Sequence, residues 1–93
     1  TAYGEKMFQI TKESLEQKIA SVSFLRIGET TTVCSLTLDS GFVVTGQSAC
    51  IDPKAFDCTI GCDLAREDAL NKLWELEGYH VKETLYAAKM AQE

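Results

Sequence analysis

The sequence predicts an α+β fold in which a three-stranded antiparallel β-meander packs against one long helix, with shorter N- and C-terminal helices. Residues 31–38 alternate between apolar and polar side chains, the period of a half-buried strand, and Asp39-Ser40-Gly41 follows as a hairpin loop. Residues 59–76 carry a broad apolar stripe at helical spacing. The chain has 93 residues, 45% hydrophobic and 25% charged, which predicts one ordered domain spanning residues 1–93.

The first element is predicted to be a helix over Lys12 to Ala20. Thr11 is a residue type that caps helices, and Leu15 and Ile19 are four residues apart, so they share one helical face. The residues before it are expected to form a packing arm through the side chains of Tyr3, Met7 and Phe8.

Three strands are predicted next, in a simple meander. Ser21 to Ile27 mixes β-branched, aromatic and polar residues, and Gly28-Glu29 indicates a turn. Thr31 to Leu38 is the second strand, with Cys34, Leu36 and Leu38 on one face. Gly41 suits the last hairpin position, which needs positive φ, and Phe42 to Gly46 is the returning strand.

Helical residues are predicted to fill the rest of the chain. Asp52-Pro53 favours a helical turn, with Asp as the cap and Pro at the first helical position. The long helix is expected from about Thr59 to Leu76, and Gly78 is expected to end it. A last helix is expected over Val81 to Ala91. The long helix carries its apolar stripe on Ile60, Leu64, Leu70, Leu73 and Trp74, while the small Ala65 and Ala69 allow close approach to the sheet.

Charge and hydropathy exclude several classes of partner. The net charge is -5, with nine basic residues scattered among fourteen acidic ones, so an extended nucleic-acid footprint is not expected. No apolar run reaches membrane-spanning length, and residues 1–20 contain no signal-peptide core. The four cysteines are therefore expected to be free thiols in a reducing compartment.

Candidate catalytic and metal-binding residues have simpler interpretations. Cys58 and Cys62 are four apart on a predicted helix, and Cys50 and His80 would complete a zinc site, but no knuckle spacing is present. The favoured interpretation is that the cysteines act as small apolar residues and that His80 is a solvated surface histidine. The acidic residues of the long helix alternate with Arg66 and Lys72, as on a solvated face. We therefore predict no enzyme, no metal and no cofactor.

Two segments of the chain together resemble a known protein family. Residues 31–57 contain a TVC strand, a GF-VTG return strand and an SAC-DP turn, and residues 65–79 end in W-LEGY. These motifs resemble the small tailed-bacteriophage accessory proteins of the phage gene forty-nine and gene sixty-six product type. Cys58 and Cys62 depart from that pattern. The resemblance implies a phage or prophage gene product that acts in the host bacterial cytoplasm, and it brings no catalytic residues.

Hydroxyl groups are unusually dense around the predicted hairpin, and such groups bind sugars and phosphates without a large positive field. In a phage accessory protein this favours sequestration of a small nucleotide signal of the cyclic dinucleotide type, which would counteract host defence. The expected ligand-binding residues, near an anion-binding helix start, are Thr45, Ser48, Asp52, Lys54, Arg66 and Trp74. The alternative is a protein-interaction module that binds and inhibits a host protein. Both functions predict a homo-oligomer.

Overall fold

The computed structural model describes residues 10–92, so the expected arm of Tyr3, Met7 and Phe8 lies outside the described residues. The strands form one antiparallel sheet in the order β1-β2-β3, which confirms the predicted meander. The elements are α1 (Lys12–Glu16), β1 (Ile19–Ile27), β2 (Thr31–Leu38), β3 (Val43–Ala49), a 3₁₀ turn (Pro53–Ala55) and α2 (Cys58–Gln92).

The N-terminal helix is a single five-residue piece, shorter than predicted. Thr11 and Ser14 form a reciprocal cap, in which the N–H of Ser14 donates to Thr11 Oγ1 and the N–H of Thr11 donates to Ser14 Oγ, each at 3.0 Å. Ile19, expected on this helix, pairs instead with Leu38 of β2. The β-branched residue and its ladder partner override the weak helical pattern.

The prediction of a separate C-terminal helix is wrong, because α2 runs without a break through Gly78 to Gln92. Gly78 does not adopt the positive φ of a helix stop. A glycine inside a helix costs only about 1 kcal/mol relative to alanine. Good helix formers on both sides, such as Leu76 and Leu85, and the lack of any proline in α2 let the helix continue.

The predicted turns are confirmed, β2 has the predicted bounds, and β1 and β3 are longer than predicted. Gly28 has φ 65° and Gly41 has φ 92°, so both turns use the left-handed region that glycine adopts without strain. The 3₁₀ turn is capped by Asp52, whose Oδ1 accepts from the N–H of Lys54 at 3.0 Å. β3 extends to Ala49, beyond the predicted end at Gly46.

The core lies where α2 crosses β2 and β3. Ala65, Ala69 and Leu73 follow one another at four-residue spacing along the buried side of the helix. They pack on the inner face of the sheet, together with Leu15 of α1. The buried residues of that sheet face are Thr32, Cys34, Leu36 and Val44. The outer part of the predicted stripe, namely Ile60, Leu64 and Trp74, stays substantially exposed.

Two parts of the fold extend beyond this core. β1 is exposed along almost its whole length, on both of its faces. The helix has 35 residues and is therefore about 52 Å long, and the molecule measures 60 × 24 × 19 Å. The C-terminal part of α2 therefore projects past the sheet as an overhang, which we define as residues 79–92. None of the helices within residues 10–92 combines the length and apolar character needed to cross a bilayer.

The contact between Gly46 and α2 predicts a large effect of a single methyl group. In Gly46→Ala the new Cβ would lie 2.2 Å from the backbone N of Ala69 and 2.4 Å from the carbonyl O of Ala65. Backbone atoms cannot move aside as a side chain can, so we expect a loss of about 3 kcal/mol in the free energy of unfolding, measured by urea denaturation. Thr45→Ala, at the neighbouring exposed position, is the control and should cost about 1 kcal/mol or less. Equal costs for the two variants would contradict the close packing.

Candidate functional site

A groove of about 430 Å³ lies between α1 and α2. α1 is held there because Leu15 is completely buried against α2. Lys18, just after α1, adds an ion pair to Glu77 at 2.9 Å. The groove is lined by Lys12, Leu15, Glu16, Asp63, Arg66, Glu67, Leu70, Asn71 and Trp74.

This groove holds two of the predicted ligand-binding residues, Arg66 and Trp74. Trp74 offers a partly exposed ring for stacking, while Arg66 and Lys12 offer cationic donors. Three carboxylates, those of Glu16, Asp63 and Glu67, line the same groove and outnumber its two cations. The groove thus suits a ligand with an aromatic part and at most a small local negative charge.

The other four predicted residues lie elsewhere. Thr45 is exposed on the outer face of β3, away from α2. Asp52 and Lys54 are joined by the cap of the 3₁₀ turn. Ser48 borders a smaller depression of about 80 Å³ and donates from Oγ to the carbonyl O of Gly61 at 2.7 Å, which ties β3 to α2. A single subunit therefore does not bring the six residues into one site.

The start of α2 was expected to bind an anion, but its N–H groups already have a partner. Asp57 Oδ1 accepts from the N–H of Thr59 at 2.9 Å and of Ile60 at 3.2 Å. A carboxylate at this position satisfies the free donors and complements the helix dipole. A second anion at the same corner would meet the negative charge of Asp57.

The hydroxyl-rich sheet surface is divided between the two faces. Ser35 and Ser23 lie on the outer face, where their hydroxyls are 3.4 Å apart. Thr32 lies on the inner face and is 3% exposed. Its Oγ1 has no hydrogen-bond partner among residues 10–92. The helix-facing side of β2 alternates with the exposed side, so Thr32 shares the face of Cys34.

All four cysteines are free thiols in different environments. Cys34 is completely buried, and this burial raises the pKa of its thiol, an effect that Arg66 opposes and Cys62 reinforces. Cys50 Sγ donates to the carbonyl O of Asp52 at 3.4 Å, while Cys58 is exposed. Within the described part of the chain, no three His, Cys, Asp or Glu side chains come together as a metal site.

Strand β1 is the surface that the sequence interpretation missed. In register, Val22 and Phe24 extend the inner face beside Leu36 and Cys34, yet the main contacts of α2 are with β2 and β3. The four large apolar side chains of β1 that are 39–62% exposed are Val22, Phe24, Leu25 and Ile27. One signal was present in the sequence, since SFLRI places bulky apolar residues on both faces with a single charge.

Comparison with known proteins identifies the family. Residues 10–85 match the phage protein family described by N4 Gp49 and phage Sf6 gene 66. The match covers well over half of the chain, so the chain belongs to this family, as its motifs indicated. It matches no curated protein sequence and no solved structure.

The buried thiol of Cys34 predicts a pH-dependent loss of stability. Because its folded-state pKa is raised, the unfolded chain releases this proton at a lower pH than the folded chain does. The stability is fully present below the ordinary thiol pKa of 9.0 and declines as the pH rises above it. The slope from one proton is at most about 1.4 kcal/mol per pH unit.

The measurement compares urea unfolding between pH 7 and pH 10 in three proteins. Cys34→Val should show a shallower decline than the natural sequence, because its side chain does not ionise. Cys58→Val, which removes an exposed thiol, is the matched control and should keep the original slope. Identical slopes in all three proteins would contradict a buried, neutral Cys34.

Proposed function

We propose that this phage protein is a non-enzymatic module that binds a protein of the host through strand β1. The observation that carries the proposal is the exposure of β1: every residue after Ile19 in this strand is exposed, and the main contacts of α2 are with β2 and β3. Exposed apolar strands of this kind mark interaction surfaces in folded proteins. A phage protein that acts in infected cells meets host proteins as its partners.

The two edges of the sheet differ in accessibility. β3 forms one edge, and α2 closes part of it because the N–H of Gln47 donates to Asp68 Oδ2 at 2.9 Å. β1 forms the other edge, and its ladder is paired only with β2. Unpaired edges accept an added strand from another chain unless charges or bulges protect them.

Protection of the β1 edge is slight. Its pairing register shifts between Ile19 and Ser21, so an irregularity lies at its first end only. Arg26 is its sole charged residue, and the guanidinium donates to the carbonyl O of Glu29 and lies 4.1 Å from the centre of the Phe56 ring. The central residues of β1 are therefore available for backbone pairing.

The side chains of β1 supply specificity for an added strand. Val22 and Phe24 project on the inner face, and Leu25 and Ile27 on the outer face. A host segment that pairs with β1 would present apolar side chains at alternate positions on both faces. Such strand addition combines main-chain hydrogen bonds for affinity with side-chain contacts for specificity.

Leu25→Lys tests this surface by placing a charge on the exposed edge strand. We expect it to abolish co-purification of the stoichiometric host partner from infected or expressing cells, because a lysine on an edge strand opposes pairing. Val43→Lys is the matched control, since Val43 is also an exposed strand residue but belongs to β3. It should retain the partner.

Amide hydrogen exchange on the purified complex then identifies the contact. Protection should increase in residues 19–27 and leave the turn at residues 53–55 unchanged. A partner that protects other residues, or that binds the two lysine variants equally, would overturn the assignment to β1.

Sequestration of a small nucleotide signal is the second candidate, supported by the groove between α1 and α2. Its volume of about 430 Å³ is within the range of small-molecule sites. Trp74 would stack on a base, and Lys12 and Arg66 would hold a phosphate. This site retains two of the six residues chosen from the sequence.

Trp74 is the only tryptophan, so its fluorescence reports directly on the groove. Titration with a cyclic dinucleotide should quench the emission, and Arg66→Gln should weaken binding at least tenfold through loss of a charge-assisted contact. Lys54→Gln, at the 3₁₀ turn, is the control for net charge and should leave binding unchanged. An unchanged spectrum with the natural sequence, or equal loss in both variants, would argue against a nucleotide in this groove.

A further inference from the structure

An apolar seam on α2 begins at Trp74, beside the groove between α1 and α2, and continues into the overhang. Trp74, Gly78, Val81, Leu85 and Ala88 follow one another at alternating spacings of four and three residues, the pattern of a helix that packs on another helix. Trp74 is 39% exposed and Leu85 40% exposed. Trp74 lies about 100° around the helix from the buried Leu73 and about 40° from the buried Leu70, so the seam runs along the edge of the side of α2 that packs on the core.

Gly78 at the middle of this seam has no role within its own subunit. It does not end the helix, and a Cβ added to it would have no atom within 4 Å among residues 10–92 apart from its chain neighbours and the adjacent backbone of its own helix. Glycine inside a helix is unfavourable compared with alanine. Its position between Trp74 and Val81 suits the close approach of a second helix.

We infer that two copies of the chain pair antiparallel along this seam, and cross near Gly78. In the register that places Gly78 opposite the partner's Val81, Trp74 meets the partner's Leu85. Gly78 then lies next to the two-fold axis, and Trp74 and Leu85 lie farther from it. Such a contact uses the same patch on both subunits, as a closed dimer requires.

Charges beside the seam fit this register. Glu75 and Lys82 both occupy the flanking position that follows Trp74 and Val81. Antiparallel pairing sets Glu75 against the partner's Lys82, and the two-fold axis repeats that pair. A parallel dimer would instead direct Lys82 to the partner's Glu77, which is already bound to Lys18 at 2.9 Å.

The antiparallel arrangement also matches the shape of each subunit. The sheet and α1 flank only the N-terminal part of α2, so parallel copies would bring both sets of flanking elements to the same end. Antiparallel copies place these flanking elements at opposite ends of the dimer. Each overhang then lies beside the α1–α2 groove of the other copy. The partner's Leu85 then comes next to Trp74 at the rim of the groove.

Mass measurement by light scattering and native mass spectrometry tests the pairing, starting from a chain of 10.3 kDa. We expect a dimer for the natural sequence and a monomer for Leu85→Glu. Tyr86→Glu is the matched control, because this neighbouring residue is 60% exposed and lies off the seam, and it should remain dimeric. Circular dichroism of both variants should show retained helix, since neither residue belongs to the core.

A charge exchange tests the orientation. Glu75→Lys should raise the dimer dissociation constant at least tenfold, and combination with Lys82→Glu should restore the original value. A natural chain that is monomeric at 100 µM, or a Leu85→Glu variant that stays dimeric, would overturn the inference. A dimer weakened by Glu77→Lys and unaffected by Glu75→Lys would overturn the antiparallel register.

Discussion

The close contact between Gly46 and α2 is the constraint on which the other surfaces depend. Because Gly46 has no side chain, the helix backbone at Ala65 and Ala69 approaches β3 directly. This fixes the crossing point over β2 and β3, away from β1. The same displacement leaves β1 uncovered and directs the C-terminal part of α2 past the sheet.

The exposed surfaces thus result from the position of α2 on the sheet, yet they differ in chemistry. β1 offers an open edge with apolar side chains on both faces, which suits the addition of an extended segment. The overhang offers one apolar seam with flanking charges of both signs, which suits another helix. A dimer formed through the overhangs leaves both copies of β1 available, so self-association and binding to a host protein use separate parts of the molecule.

Local signals in the sequence were sufficient for much of the fold. The alternation of residues 31–38 predicted the bounds of β2, and Gly28 and Gly41 predicted the turns on either side of it. Asp52 and Pro53 predicted the 3₁₀ turn.

The two errors in the helices arose where local preference was weak. Ile19 joined a strand, and Gly78 is a residue type that often ends helices but also occurs within them. The candidate site was less predictable. Thr45, Ser48 and Arg66 were predicted to form one site because of their side-chain chemistry, but they lie on different surfaces.

The sequence by itself determined the α+β class, the order of the three strands and the phage family, because each of these depends on short patterns of neighbouring residues. Only the tertiary structure decided which faces are covered. That outcome depends on the docking of a 35-residue helix against Gly46. The helix residues at this contact, Ala65 and Ala69, are distant from Gly46 along the chain. Exposure of β1 and the separation of Trp74 from Ser48 follow from where the helix docks, which the local alternation that predicted a half-buried β2 does not encode.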